Sequence, residues 1–211
     1  QMADYLKIDK PYCVMEGISS PETSGAQNTI EDKKIILYTG TLHEKFGVMN
    51  LVRAFRTIDS ENYELIICGV GDSEEAIKAA AKEDSRIHFL GKLPREQVLE
   101  LQSRATVLVN PRQNNEEFTK YSFPSKTMEY LSSGVPLVAY KLDGIPDEYD
   151  RYIQYVEDDS IESLKKKIVE VCEMPKKERD DMGVLGRAFV LTEKNSTAQT
   201  RKIVKLIEEL L

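Results

Sequence analysis

Short apolar runs alternate with amphipathic stretches between residues 33 and 156. The apolar runs predict strands over residues 33–40, 63–69, 86–91, 105–110, 136–140 and 152–156. The stretches between them repeat apolar positions with helical spacing and predict helices over residues 48–55, 73–82, 94–102 and 125–133. This alternation is typical of repeated βα units. We therefore expect an α/β fold with a Rossmann-like parallel sheet of about six strands and helices on both faces.

The two ends of the chain have patterns that differ from its centre. Residues 1–30 combine a short helical pattern, the apolar run YCVM and a polar stretch, which predicts a strand and a linker leading in from another domain. Residues 159–211 carry only amphipathic helical patterns, and we expect them to form helices packed on the same domain. The Rossmann-like domain is therefore placed at residues 31–158.

Composition indicates an ordinary globular chain. Hydrophobic residues make up 41% and charged residues 31%, and no apolar run reaches the roughly 18 residues that a membrane span needs. Charges such as Asp4 and Lys7 interrupt the first twenty residues, which is unlike a signal peptide. Three widely separated cysteines, Cys13, Cys68 and Cys172, predict neither a disulfide framework nor a zinc site. We expect a cytoplasmic location, with action at the inner face of the membrane left open.

The charge balance bears on which kinds of molecule the protein can bind. The chain has 29 Lys and Arg against 36 Asp and Glu, and its net charge of −7 disfavours nucleic-acid binding. A small anion can still be held by two or three well-placed cations. The positions of the basic residues in the loops therefore matter more than their total.

The first loop, YTGTLHEKFG at residues 38–47, offers such a position. Gly40 and Gly47 bracket a connection that carries His43 and Lys45 beside the start of a helix, where a phosphate would be held well. A solvated loop with ordinary surface charges is the alternative interpretation.

The second loop, GVGDSE at residues 69–74, resembles a dinucleotide fingerprint only in part. Glu74 stands where the third glycine would be, and its carboxylate would repel a pyrophosphate. We interpret this loop as a structural turn, with Asp72 and Glu75 forming a capping box for the next helix.

The strongest local signal is YSFPSKTMEYLSSGVP at residues 121–136. Pro124 and Ser125 open a helix whose free N–H groups suit an anion, and Lys126 adds a full charge. Glu129 lies one turn further, where its carboxylate would accept hydrogen bonds from ribose hydroxyls. The alternative is that Ser125 is only a helix cap and Glu129 an exposed surface charge.

Taken together and in this order, the Gly40 loop with Lys45, the YELIICGVGD strand and turn, RIHFLGKLP and SFPSKTMEYLSSGVPLVAY carry a family resemblance. The chain resembles the C-terminal, nucleotide-sugar-binding domain of a GT-B glycosyltransferase of the family-four, or glycosyl transferases group 1, type. Within that type it is similar to transferases of capsule and lipopolysaccharide synthesis. The resemblance implies a retaining transfer of a sugar from a nucleotide diphosphate donor, with no metal and no other cofactor.

The resemblance also implies roles for individual residues. Gly40 and Lys45 would meet the donor phosphates, and Ser125 and Lys126 the pyrophosphate, while Glu129 would bind the ribose. The lysines Lys45 and Lys126 would thereby assist catalysis by stabilising the departing diphosphate. Further donor-binding positions implied by the resemblance are Lys92 and Leu93 beside the base, and Tyr121, Ser122, Phe123 and Pro124 before the helix.

Two residues depart from the family pattern. Thr41 stands where a basic residue usually follows the first glycine, so we expect Arg112 or Lys120 to replace that charge at the diphosphate. Tyr121 stands where the first glutamate of the family pair usually lies. We expect Glu117, or else Glu116 or backbone groups near Ser122, to take over the recognition of the donor sugar.

A complete GT-B enzyme needs two such domains, and this chain has room for one. The resemblance therefore implies a missing N-terminal domain that binds a glycan or lipid-linked acceptor and provides any peripheral membrane contact, and it implies that the isolated chain is inactive. Two other functions stay open: a non-catalytic module that binds nucleotide sugars, and a GT-B-fold UDP-sugar epimerase.

Overall fold

The computed structural model describes residues 5–19, 33–115 and 117–211. Within these residues one sheet contains six strands, β1 Lys34–Thr39, β2 Tyr63–Cys68, β3 Ile87–Gly91, β4 Val107–Asn110, β5 Leu137–Ala139 and β6 Ile153–Tyr155. The helices between the strands are α1 Val48–Arg56, α2 Glu74–Glu83, α3 Arg95–Arg104 and α4 Ser125–Ser133. The strand order is β3-β2-β1-β4-β5-β6, and every neighbouring pair is parallel. The expected α/β fold with a Rossmann-like sheet is confirmed.

The central strands are apolar because both of their faces are covered. Ile36 and Leu37 of β1 are fully buried, as are Val107 and Leu108 of β4. A strand buried on both faces has a continuous apolar sequence instead of an alternating one, which is the pattern seen in these runs. The edge strands β3 and β6 keep partly exposed positions.

The strand order reverses direction between β1 and β4, which lie side by side at the middle of the sheet. The connection after β1 leads to α1, whereas the connection after β4 leads through a 3₁₀ turn, Glu117–Lys120, to α4. In doubly wound sheets a ligand binds in the crevice that opens between two such diverging connections. The fold thus places the ends of β1 and β4, and the start of α4, around one crevice.

Three helices follow the sheet, α5 Ile161–Glu173, α6 Lys176–Glu193 and α7 Ser196–Glu208. Helix α5 packs against α1 and β4, and α6 packs against α4. The approach of α6 to α4 is so close that a Cβ added at Gly183 would lie 1.8 Å from the carbonyl oxygen of Gly134. A glycine at position 183 is therefore required for this helix pair to pack.

The opening segment differs from the prediction. Among residues 5–19 no strand is formed, so the strand expected in YCVM is wrong, while most of the expected linker lies outside the described residues. The sheet ends at β3 and β6, and this segment reaches neither edge. Only its last residues contact the helices, where Ser19 donates its N–H to the carbonyl oxygen of Lys194 at 2.8 Å, whereas most of residues 5–15 are exposed.

A buried cluster of charges fastens this segment to the end of α6. The side chain of Lys194 is 1% exposed and that of Glu16 is 4% exposed, and the two form an ion pair. Lys194 also donates to Glu148 at 2.5 Å, and the hydroxyl of Tyr149 donates to Glu16 at 3.0 Å. Burial disfavours the charged form of Glu16, yet the hydrogen bond and charge of Lys194 hold the pKa of this carboxyl below its ordinary value.

Candidate functional site

A cavity of about 270 Å³ opens between the carboxyl ends of β1 and β4. We call it the switch-point cavity; its lining residues are Tyr38, Gly40, Thr41, Phe46, Asn110, Arg112, Phe123, Pro124, Ser125, Lys126 and Tyr130. Seven of these, Gly40, Thr41, Arg112, Phe123, Pro124, Ser125 and Lys126, were proposed from the sequence. The fold therefore brings together residues that lie as far apart in sequence as the first loop and α4.

Arg112 is the cation that follows β4. Its guanidinium lies 4.4 Å from the ring centre of Phe118 and 5.2 Å from that of Phe46, and it donates to the hydroxyl oxygen of Ser122 at 2.9 Å. The buried Nε atom has no hydrogen-bond partner among the described residues. Burial lowers the pKa of Arg112, but a guanidinium stays charged at neutral pH. Arg112 is therefore a cation held in place at the wall of the switch-point cavity.

Helix α4 points its N-terminus at the same cavity. Pro124 occupies the N-cap position and no side chain caps the helix, so Ser125 is its first residue and not a cap. The alternative interpretation, that Ser125 is only a helix cap, is therefore wrong. Lys126 follows in the first turn with 35% of its side chain exposed. Because the first N–H groups of a helix lack intrahelical acceptors, this end offers donors and a full positive charge to an anion.

Glu129 sits one turn behind Lys126 and is held by two donors. Lys126 Nζ and Gln102 Nε2 each lie 2.7 Å from Glu129 Oε1. Gln102 also donates to Thr39 Oγ1 at 2.8 Å, and Thr39 in turn exchanges backbone hydrogen bonds with the hydroxyl of buried Tyr130. The carboxylate is thus tied to the end of β1 and is not a free surface charge.

Glu129 also lines a neighbouring cavity of about 340 Å³, on the side of the opening segment. Ser125 and Phe123 line both this cavity and the switch-point cavity. The start of α4 therefore separates two adjoining spaces. Arg112 and Lys126 line one of them, and Glu129 lines the other together with Glu16 and Arg95. The two cations of the first space suit an anionic group, and the carboxylate of Glu129 can accept hydrogen bonds from hydroxyl groups.

Backbone hydrogen bonds hold the first loop against the end of β2 and the second loop. The N–H groups of Gly40 and Leu42 donate to the carbonyl oxygens of Cys68 and Val70, each at 2.9 Å. Gly69 has a φ of 150°, and a Cβ there would lie 1.7 Å from the carbonyl oxygen of Gly40. A Cβ at Gly40 would lie 3.7 Å from Lys126 Cε, so the loop backbone comes close to the cation of α4.

The second loop behaves as a structural turn, but the predicted capping box is wrong. Asp72 accepts hydrogen bonds from His43 at 2.9 Å and from the N–H of Glu44 at 3.1 Å, and the bond to His43 lowers the pKa of Asp72. Glu75 pairs with Lys78 instead. Asp72 bonds the first loop instead of capping the next helix, because the imidazole of His43 and the N–H of Glu44 lie beside its carboxylate.

Lys45 lies at the edge of this arrangement. Its Nζ is 5.6 Å from the centre of the Phe118 ring, the ring that Arg112 also contacts. With His43 and Asp72 it lines an open polar cavity of about 650 Å³, and it does not line the switch-point cavity. Its role at the donor phosphates stays a prediction.

Other predicted site residues lie outside these three cavities. Lys92 is exposed after β3, and Leu93 packs against the core. Glu117 is exposed at the start of the 3₁₀ turn, and the Tyr121 ring lies 4.8 Å from that of Tyr5. Their roles in binding the base and the sugar stay predictions.

Sequence reasoning missed Tyr38, Phe46, Asn110, Tyr130 and Gln102. Tyr38 and Tyr130 look like ordinary core residues of a strand and a helix, and Asn110 like the polar end of a strand. Gln102 lies in a polar helix where one more amide gives no signal. Only their position in the fold distinguishes them.

Residues 19–189 match the family model described as glycosyl transferases group 1. The chain belongs to the glycosyl transferases group 1 family. The matched region includes β1 to β6 and α4 with the whole switch-point cavity. None of the curated proteins compared matches the sequence.

Solved structures resemble this member of the family in fold. TarM from S. aureus, in a complex with fondaparinux, alpha-GlcNAc-glycerol and UDP, has a TM-score of 0.75 and 12% identity over 97% of this chain and 41% of its own. The lipopolysaccharide outer core galactosyltransferase WaaB has a TM-score of 0.68 and 16% identity over 94% of this chain and 56% of its own. The C-terminal domain of LpcC from Francisella tularensis, named a group 1 family glycosyl transferase, has a TM-score of 0.66. Its identity is 14% over 84% of this chain and 99% of its own.

The chain spans less than two thirds of TarM and WaaB but nearly all of the LpcC C-terminal domain. Its fold is therefore that of the C-terminal domain of GT-B glycosyltransferases. Of the helices in residues 5–19, 33–115 and 117–211, none is long and apolar enough to cross a bilayer.

Proposed function

We propose that this domain binds the nucleotide diphosphate of a nucleotide-sugar donor for glycosyl transfer. The observation that carries the proposal is the convergence of Arg112, Lys126 and the N-terminus of α4 on one cavity at the switch point. The complex of TarM with UDP supports a diphosphate nucleotide as the ligand. In this arrangement Arg112 replaces the charge that Thr41 lacks, and Ser125 contributes backbone N–H donors.

The same cations serve catalysis. When the bond between the sugar and the diphosphate breaks, negative charge collects on the leaving diphosphate, and fixed donors there stabilise the transition state more than the ground state. Lys126 and Arg112 fill this role. The family resemblance supports transfer with retention of the anomeric configuration.

We further propose that the acceptor is a glycan or lipid-linked sugar in cell-surface polysaccharide synthesis, held by an N-terminal domain. WaaB is described as a lipopolysaccharide outer core galactosyltransferase, and its likeness in fold supports this choice. The proposal implies work in the cytoplasm at the inner face of the membrane, and it implies that this domain alone binds the donor without transferring it.

Calorimetric titration with UDP, GDP, ADP and inorganic phosphate tests the proposed donor site. We expect weak binding of one nucleoside diphosphate and still weaker binding of phosphate, because the ribose and base contacts are absent from phosphate. If none of the three diphosphates binds, the proposed donor function is wrong.

We also predict that this binding needs no metal ion. Arg112, Lys126 and the helix N-terminus supply the positive charge that a metal would otherwise bring to a diphosphate. The affinity measured with EDTA and with magnesium should agree within about twofold, well below the tenfold that about 1.4 kcal/mol represents. A strict magnesium requirement would contradict metal-free donor binding.

Glu117 is predicted to compensate for Tyr121 at the donor sugar. In the complete two-domain enzyme, Glu117→Gln should lower kcat by more than about tenfold, or about 1.4 kcal/mol, because a neutral amide stabilises a developing positive charge less well. Nucleoside diphosphate affinity should stay within about twofold, since the phosphate contacts are unchanged. Wild-type turnover in this variant would reject the role of Glu117.

A further inference from the structure

Gln102 occupies an unusual place for a polar side chain. It lies near the end of α3 and is fully buried, whereas most residues of that helix contact solvent. Its amide nitrogen uses both hydrogens, one for Thr39 Oγ1 at 2.8 Å and one for Glu129 Oε1 at 2.7 Å. A buried amide thus donates a hydrogen bond to the carboxylate of Glu129, a residue of the candidate site.

The orientation of this amide is determined by Glu129. Gln102 Oε1 is buried and has no hydrogen-bond partner among the described residues. Turning the amide over would still satisfy the Thr39 hydroxyl, which can donate or accept, but it would place an oxygen against the carboxylate. A buried acceptor without a partner destabilises the fold, so the amide is held in this orientation against a cost. The arrangement is therefore better explained by what it does to Glu129.

Its effect is to leave one carboxylate oxygen ready for a ligand. Gln102 and Lys126 both bond Glu129 Oε1, and within the described part of the chain Oε2 forms no hydrogen bond. Lys126 is 35% exposed and faces the switch-point cavity, so a bound diphosphate would draw it away. Gln102 is anchored to the end of β1 and would then be the remaining fixed contact of Glu129.

We propose that Gln102 is a positioning residue that aims Glu129 at the ribose hydroxyls and thereby sets the preference for ribonucleotides over deoxyribonucleotides. This inference rests on the proposed donor function. It concerns selectivity and not overall affinity, because Gln102 itself is buried behind Glu129.

The test compares the ribonucleoside diphosphate that binds best among UDP, GDP and ADP with its 2′-deoxy and 3′-deoxy forms, by calorimetry on the whole chain. In the wild type, at least one deoxy form should bind about tenfold more weakly, the value of one hydrogen bond to a charged acceptor. Gln102→Met keeps the side-chain volume but removes the donor. It should reduce this ratio to below about threefold and leave the affinity of the weaker deoxy form nearly unchanged.

Matched variants separate positioning from general damage. Gln97→Met makes the same change at an exposed position of α3 and should keep the wild-type ratio. Thr39→Val removes the anchor on the other side of the amide and should lower the ratio even if Gln102→Met does not fold. In a Glu129→Gln background, adding Gln102→Met should cause no further loss of selectivity.

Three results would overturn the inference. An unchanged ratio in both Gln102→Met and Thr39→Val would remove Gln102 from the site while leaving diphosphate binding intact. A wild type that binds the ribo and both deoxy forms equally would show that Glu129 does not contact the ribose. A wild type that binds no diphosphate would overturn the proposed function and this inference together.

Discussion

Lys194→Met is expected to lower the free energy of unfolding by about 3 to 5 kcal/mol, because it leaves the carboxylate of Glu16 buried without its partner. Glu16 and Lys194 are both almost fully buried, and the pair fastens the opening segment to the end of α6. Breaking one side of a buried ion pair costs far more than the pair itself contributes, since the remaining charge has lost its compensation. Urea unfolding followed by circular dichroism measures the change.

Two variants test this explanation. Lys202→Met removes a cation that is 4.0 Å from Glu16 but 37% exposed, and it should cost less than about 1 kcal/mol. Adding Glu16→Gln to Lys194→Met should recover most of the lost stability, because the uncompensated charge is then gone. A double variant as unstable as the single one would show that packing of Lys194, and not charge, supports this region.

The pH dependence of stability has a definite sign. The folded protein lowers the pKa of Glu16, so its ionised carboxyl stabilises the fold at pH values above the ordinary glutamate pKa of about 4.3. This contribution is lost as the pH falls through the lowered pKa of the folded state. In Lys194→Met the loss of stability relative to wild type should accordingly shrink on acidification.

Lys126→Ala is expected to weaken nucleoside diphosphate binding by about tenfold to a hundredfold, since a charge-assisted hydrogen bond contributes about 1.5 to 3 kcal/mol. The substitution also frees Glu129 Oε1 from its ion pair and leaves a carboxylate beside the diphosphate. Both effects act in the same direction. Calorimetric titration of wild type and variant with the same nucleotide measures the change.

Lys177→Ala is the matched control for this substitution. It removes the same charge at an exposed position of α6 and should leave the affinity within about twofold of wild type. Lys126→Arg should retain part of the binding, because the charge is kept although the geometry differs. Equal affinities of wild type and Lys126→Ala would exclude Lys126 from the site.

The strands and helices of the sheet could be predicted because their apolar patterns are local. The run at residues 33–40 and the helix pattern that begins at Val48 both form at the predicted places. The opening run YCVM has an equally apolar pattern but forms no strand. A strand needs a partner to accept its hydrogen bonds, and no pattern within the run tells whether a sheet edge lies within reach.

The candidate site could be predicted only where a motif carries the chemistry. SFPSKTMEYL indicated Ser125, Lys126 and Glu129, and the fold places them at the ends of β1 and β4. Gln102 could not be found in this way, since its function depends on the end of a neighbouring strand 63 residues earlier in the chain. Asp72 was assigned to the wrong partner for the same reason, because its acceptor role depends on the fold of a distant loop.

The locked backbone of the first loop has a consequence for how this site can change during evolution. Gly40 and Leu42 are held by the strand and loop beside them, whereas the side chain of Thr41 is exposed between them at the rim of the cavity. Because the main chain on either side of Thr41 is held, one substitution there can add or remove a charge at the rim of the switch-point cavity. Under the proposed donor function, the affinity for the diphosphate can therefore be adjusted at this one position, while the backbone around the cavity stays the same.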